Sequence, residues 1–149
     1  MKLTAASEYG CLALIAIAER SPDWCKRQEI SDRYDIPVSF LEQILRKLAT
    51  SGLIHSRRGS DGGFTLGRKP EDITIAEVVR TMDGALAPVR SVSRNFYEPS
   101  PLEASPGFKN LFRRVRDVVA DLLENTTLED ILEEERTHRR PGRRTRRSA

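Results

Sequence analysis

A mainly α-helical fold with a basic hairpin set into it is what this sequence predicts, and three stretches carry that prediction. Residues 37–66, PVSFLEQILRKLATSGLIHSRRGSDGGFTL, read as a helix, a glycine stop and a two-stranded hairpin with a basic, glycine-rich tip. Two helical stretches precede it, the second separated from it only by Asp35-Ile36-Pro37. A broad amphipathic helix follows it from Pro106 to about Asn125. Helix, short turn, helix, hairpin is the winged helix-turn-helix order. The fold class expected is therefore mainly α: a winged helix-turn-helix DNA-binding domain with a long C-terminal dimerisation helix.

Each element has a local reason. Thr4 is a plausible N-cap for a first helix to about Arg20, with Tyr9, Leu12, Ala13, Ala16 and Ile17 as its buried stripe. Ser21-Pro22-Asp23 makes a turn, and a second helix over about Lys26 to Tyr34 contributes Ile30 to the core. Pro37 suits the first position of the third helix, where its missing N–H costs nothing. That helix shows Leu41, Ile44, Leu45 and Leu48 inward and Ser39, Glu42, Gln43, Arg46 and Lys47 outward. Gly52 stands where a helix takes a left-handed closing residue. Thr74 and Glu77 form a capping box for a short helix over about Ile75 to Asp83, ended by Gly84. Residues 85–106 lose periodicity and carry four prolines, so a long loop is expected there. The helix after Pro106 places Phe108, Leu111, Phe112, Val115, Val118, Val119, Leu122 and Leu123 on one broad face. That is more apolar surface than a small head can cover, which favours a dimer interface over an ordinary core helix. A last short helix is expected around Leu128, Ile131 and Leu132. Four segments follow from this: 1–84 for the DNA-binding domain, 85–106 for a long loop without cysteines, 107–135 for the dimerisation helix and short acidic helix, and 136–149 for a disordered Arg-rich tail.

Composition narrows the class. The chain has 149 residues, 38% hydrophobic and 32% charged, enough for one modest core. No apolar run has membrane-span length and the first residues lack a signal-peptide shape, so a cytoplasmic protein with no membrane partner is expected. Charge is polarised: residues 1–70 hold 11 basic and 8 acidic groups, residues 71–135 hold 7 and 14, and residues 136–149 hold 7 arginines. A basic head on an acidic body suits a polyanionic partner, double-stranded DNA. The tail reads either as a solubilising extension or as a non-specific phosphate-binding arm. His55 and His138 are the only histidines, and no nucleophile–base–orienter set is visible, so no catalytic residue and no enzyme activity are expected.

Met1-Lys2-Leu3-Thr4, Glu8-Tyr9, Phe40-Leu41-Glu42-Gln43-Ile44-Leu45, Ser51-Gly52-Leu53-Ile54, Ser56-Arg57-Arg58-Gly59, Gly62-Gly63-Phe64, Ile73-Thr74-Ile75 and Asp83-Gly84 fall in one register. Together they resemble, over roughly residues 1–84, the Rrf-two family of bacterial regulators, which includes the iron–sulfur-cluster regulator and the cysteine-metabolism repressor. The resemblance implies a homodimeric transcriptional regulator, expected to act as a repressor on imperfect promoter palindromes. Its recognition helix would present Ser39, Glu42, Gln43 and Arg46 to the major groove. Arg57, Arg58, Gly59, Gly62 and Gly63 would form the wing, with glycines letting backbone approach DNA. Phe108, Leu111, Phe112, Val115, Val119 and Leu122 would hold the dimer together. Cluster-binding members carry three cysteines in the loop that corresponds to residues 85–106, and this chain has none there. No metal and no cofactor are therefore expected. Cys11 reads as a buried structural thiol, whereas Cys25, near a helix N-terminus, could have a lowered pKa and be oxidisable. Two alternatives remain: control by a protein partner gripping Phe96 and Tyr97 on the loop, and an interaction adaptor that has lost DNA binding.

Overall fold

The computed structural model describes residues 2–139. Among them the α-helices are α1 (Ala5–Arg20), α2 (Arg27–Tyr34), α3 (Val38–Thr50), α4 (Ile75–Asp83), α5 (Pro106–Glu124) and α6 (Leu128–Arg139), with strands β1 (Ile54–Arg57) and β2 (Gly63–Leu66) between α3 and α4. The order matches the expectation element by element. Pro37 falls one place earlier than expected, as the N-cap of α3 rather than its first residue.

The core of the head is where the helical spacing put it. Leu14 and Ile17 of α1, Ile30 of α2, and Leu41, Ile44, Leu45 and Leu48 of α3 are all buried in one cluster. Tyr9 and Phe40 pack edge-to-face, centroids 5.5 Å apart, and so hold α1 against the start of α3. α3 ends in a Schellman closure. The Leu53 N–H donates to the Leu48 carbonyl and the Gly52 N–H to that of Ala49, with Gly52 at φ +79°. This closure turns the chain directly into β1.

β1 and β2 pair antiparallel, from Ile54 opposite Leu66 to Arg57 opposite Gly63. A third segment, from the α1–α2 connection, extends this small sheet. Cys25 and Phe64 exchange both backbone hydrogen bonds, each 2.8 Å. The approach is so close that a Cβ on Gly63 would sit 2.6 Å from the Cys25 carbonyl oxygen, and Gly63 holds φ +148°. Gly62 is buried, where a Cβ would lie 2.1 Å from the Arg57 carbonyl oxygen. These two positions thus have a steric reason to be glycine, since the wing closes on itself and on Cys25. Gly59, with φ +103° and open space around it, is the member of the expected set left at an exposed turn.

α4 has the expected capping box, Thr74 accepting from the Glu77 N–H and the Glu77 carboxylate accepting from the Thr74 N–H at 3.0 Å. At its other end Asp83 reaches α1. Its carboxylate accepts from the Thr4 N–H at 3.0 Å, from the Ser7 hydroxyl at 2.6 Å and from the Thr4 hydroxyl. Thr4 occupies the N-cap position as expected, but its side chain serves this latch instead of capping its own helix. Residues 85–106 are an ordered crossing with two short 3-10 turns, over Arg90–Val92 and Pro101–Ala104, and Leu86, Ser91, Val92 and Ser93 are buried.

α6 corrects the expected segmentation. Leu128 and Leu132 belong to the core of the head, and the Leu128 N–H donates to the Ile73 carbonyl at 2.8 Å. The helix also runs to Arg139 and is not short, so residues 136–139 belong to it rather than to a disordered tail. Its last turns carry ion pairs in place of apolar contacts. Arg136 meets Glu129 at 2.7 Å and Arg139 meets Glu19 of α1 at 2.8 Å, where Arg33 of α2 also lies at 2.6 Å. The remainder of the predicted tail, residues 140–149, lies outside the described residues.

Burial alone would raise the Asp83 carboxyl, but the hydrogen bonds from Ser7 and Thr4 outweigh it and hold the group below its ordinary range. A carboxyl depressed in the folded state contributes stability above its unfolded pKa, and that contribution is lost as pH falls through the folded value. Asp83→Ala should accordingly lower stability by about 1–3 kcal/mol at neutral pH. The deficit should shrink below about pH 4, the unfolded carboxyl range, when urea unfolding of both proteins is followed across pH. Gly63→Ala tests the wing: thermal unfolding should show a loss of about 1–3 kcal/mol. A fully stable variant would mean that Cys25 does not hold the wing.

Candidate nucleic-acid interface

The outward face of α3 and the wing enclose an open cleft of about 490 Å³. Glu42 and Arg46 reach it from α3, Arg57 and Arg58 from the hairpin, and Arg27 from the first turn of α2. Four arginines and one glutamate thus line it. Buried Leu45 and the half-buried Phe64 form part of its floor. Such a concentration of arginine is suited to phosphate, whose oxygens match the guanidinium fork.

The arginines differ in what they already hold. Arg27 is paired with Glu42, both of them largely exposed. The Arg57 guanidinium lies over the Trp24 ring, 4.2 Å from its centroid, and donates to the Asp61 carbonyl in the hairpin tip. Lys26 donates to the Ser60 carbonyl at 2.6 Å. Arg46 and Arg58 are exposed and have no ion-pair partner among the described residues. With Arg57, which holds a ring and a carbonyl rather than a carboxylate, they can take a new anion without giving up an old one.

The sequence-predicted residues fall into groups. Glu42, Arg46, Arg57 and Arg58 converge on the cleft, whereas Ser39 and Gln43 are exposed on α3 outside its lining. Gly59 sits at the exposed tip, and Gly62 and Gly63 lie within the hairpin. Sequence reasoning missed residues 24–27. Trp24, Cys25, Lys26 and Arg27 each touch the wing or α3, through the ring stack, the backbone pair, the Ser60 contact and the Glu42 pair respectively. The available signal was the lone tryptophan two residues before the Lys26-Arg27 helix start.

On α5, Phe108, Leu111, Val115 and Leu122 are exposed, Phe108 at 60% and Leu122 at 65%. Val118, at 69%, joins them. Phe112 and Val119 are half-buried within the chain. Phe96 and Tyr97 of the loop are also exposed, with the Tyr97 hydroxyl donating to Glu103 at 2.8 Å.

The thiols depart from one expectation. Cys25 is buried, and burial together with the neighbouring Glu29 carboxylate pushes it up to about 11. This environment raises the thiol, so the lowered pKa on which the oxidisable reading rested is not found. Cys11 is also pushed up to about 11, by burial and then by Asp83.

Comparison with known proteins agrees with this geometry. The family model for Rrf2, described as an iron-dependent transcriptional regulator, matches residues 3–134. The HTH-type transcriptional regulator CymR of Bacillus subtilis is 30% identical over 132 residues, 88% of this chain and 89% of that one. An rrf2-like HTH-type regulator of Rhodobacter capsulatus is 35% identical over 137 residues, 87% of this chain and 91% of its relative. The structure of B. subtilis CymR, the global cysteine regulator of that organism, matches with TM-score 0.73 and 28% identity, covering 90% of this chain and 98% of CymR. The family description names iron, but the donors here do not fit an iron–sulfur cluster. Residues 85–106 contain no cysteine, and Cys11 and Cys25 lie in the head. Among the described residues no three His, Cys, Asp or Glu side chains are grouped to hold a metal ion. No helix among them is long and apolar enough to cross a membrane. With its match over residues 3–134 and its helix-and-wing cleft, the chain belongs to the Rrf2 family of DNA-binding transcriptional regulators.

Proposed function

We propose that the protein is a homodimeric repressor that binds promoter palindromes in the cytoplasm and works without an iron–sulfur cluster or a catalytic step. The observation that carries this reading is the cleft between α3 and the wing, lined by Arg27, Arg46, Arg57 and Arg58 with a single carboxylate, Glu42. α3 enters the major groove with Ser39, Glu42, Gln43 and Arg46 toward base edges, and the wing follows the adjacent backbone or minor groove. Arg46 donates to guanine or phosphate, and Arg58 to phosphate. Arg27 holds Glu42 in the free protein. A DNA phosphate competes for that guanidinium, which leaves Glu42 to accept from a cytosine amino group.

The second half of the reading is the dimer. Phe108, Leu111, Val115, Val118 and Leu122 alternate at spacings of three and four, the pattern of a coiled-coil seam, and all five are exposed. A second copy of the same helix is the self-complementary occupant of such a stripe. Two heads related by a two-fold axis then match the two halves of a palindrome. Repression follows from occupying a promoter that polymerase must enter.

Selection of genomic fragments by the purified protein at physiological salt tests the whole reading. A few promoters sharing a palindrome should be enriched, and uniform, salt-sensitive retention would leave only non-specific electrostatics. On the selected site, Arg46→Ala should cost about 1–3 kcal/mol and relax base preference, whereas Arg58→Ala should weaken all sequences alike and reduce the salt slope by about one. Unchanged affinity in Arg46→Ala would remove that residue from the interface. Light scattering of Leu122→Glu should show a monomer that no longer prefers the full palindrome over a half-site. A dimer of normal mass would place the interface elsewhere.

A further inference from the structure

Trp24 is the single tryptophan of the chain and is half-buried. Among the described residues, the apolar cluster of the head takes in Phe64 and Leu66 of the hairpin but not Trp24, and the arginine cleft is lined without it. So large an apolar side chain outside the core needs another partner, and the partner it has is a cation. The Arg57 guanidinium rests over its ring, 4.2 Å from the centroid. On the backbone side, the Trp24 Cβ is 3.4 Å from where a Cβ on Gly63 would stand.

Arg57 is exposed and lines the cleft, yet its long side chain is held at two points. The indole attracts the cation through its quadrupole, and the Asp61 carbonyl accepts one N–H. Neither partner is an anion, so Arg57 keeps its charge, and the rest of its five-donor fork stays open. Arg27 is the contrast, since its ion pair with Glu42 cancels the charge it would offer. An arginine that meets a phosphate from many rotamers loses that freedom on binding, whereas Arg57 has lost it already on folding.

We propose that Trp24 is a positioning residue for DNA binding: its ring holds the Arg57 guanidinium charged and ordered for a phosphate beside the wing. The role rests on the DNA-binding reading of the cleft and adds to it a residue that acts only through another. Arg57 thereby differs from Arg46 and Arg58, whose charges are equally uncompensated but which no aromatic ring holds among the described residues. Trp24 also stands next to Cys25, which pairs with the hairpin, so its action through Arg57 has to be separated from simple support of the wing.

Anisotropy titrations of the full chain against a labelled duplex carrying the enriched palindrome, at several salt concentrations, make that separation. Trp24→Leu keeps apolar bulk but removes the ring, and should weaken binding about three- to tenfold. Trp24→Phe restores a ring and should recover most of the loss. In an Arg57→Ala background, Trp24→Leu should cost nothing further. The salt slope should fall by about one in Arg57→Ala but stay at its wild-type value in Trp24→Leu, which keeps the charge. A readout without DNA is the emission of the single tryptophan, which Arg57→Ala should shift to the red as water replaces the guanidinium. Wild-type affinity in Trp24→Leu, equal losses with and without Arg57, no recovery in Trp24→Phe, or a reduced slope in Trp24→Leu would overturn the positioning role. Unchanged emission in Arg57→Ala would overturn it too. Should Trp24→Leu fail to fold, the emission decides, because Arg57 is exposed and its replacement leaves Trp24 in place. Failure of the wild type to retain any duplex at low salt would overturn the DNA-binding reading itself, and the positioning role with it.

Discussion

The wing depends on one pair of backbone hydrogen bonds, between Cys25 and Phe64. A two-stranded hairpin of four residues a side is marginal in water, and this one projects a tip made largely of glycine and charged residues. Pairing with Cys25 gives it a third segment and ties it to the start of α2. The neighbours of Cys25 then extend the brace, with Trp24 beneath Arg57, Lys26 on the Ser60 carbonyl and Arg27 on Glu42. Four consecutive residues thereby set the separation between α3 and the hairpin tip, and with it the width of the arginine-lined cleft. Two glycines follow as a requirement, because neither Gly62 nor Gly63 has room for a Cβ.

The other end of the molecule is organised by what the core can absorb. Leu128 and Leu132 bring α6 back under the head, so the head's core is completed by residues far along the chain. α5 must bridge that return, and it contributes Ala120 and part of Leu123 to a small cluster with Ala76, Val79 and Leu86. One face of a 19-residue helix is thus committed, while its large outward side chains have no core to join. Between these regions Asp83 fastens α4 to α1, so the crossing loop and the DNA-facing head are mechanically connected through a handful of hydrogen bonds.

Much of this was legible without coordinates because the governing interactions are local. Leu41, Ile44, Leu45 and Leu48 share a face at helical spacing, and that spacing alone forces burial. Thr74 with Glu77, and Gly52 after α3, are end signals whose partners lie within five residues. Arg46, Arg57 and Arg58 could be gathered onto one surface because helix and hairpin are adjacent in sequence. Arg27 could not, since its neighbour Glu42 is 15 residues away and either residue alone reads as a solvated charge. The oxidisable reading of Cys25 failed for a related reason: its nearness to a helix start is visible in sequence, and Glu29 lies only four residues on, but the burial that comes with its pairing to Phe64 is not local.

The sequence by itself determined the order of elements, the inward faces of α1, α3 and α4, the basic character of the hairpin, and the lack of cysteine in residues 85–106. Each of these follows from side-chain type and from neighbours within one or two turns. Only the tertiary structure decided that residues 24–27 brace the wing, that Thr4 serves Asp83 rather than its own helix, and that α6 extends to Arg139. Those outcomes rest on contacts between groups as many as 120 residues apart, such as Glu19 with Arg139. Such a pairing exists only once the core has brought two helices together, and no local pattern encodes it.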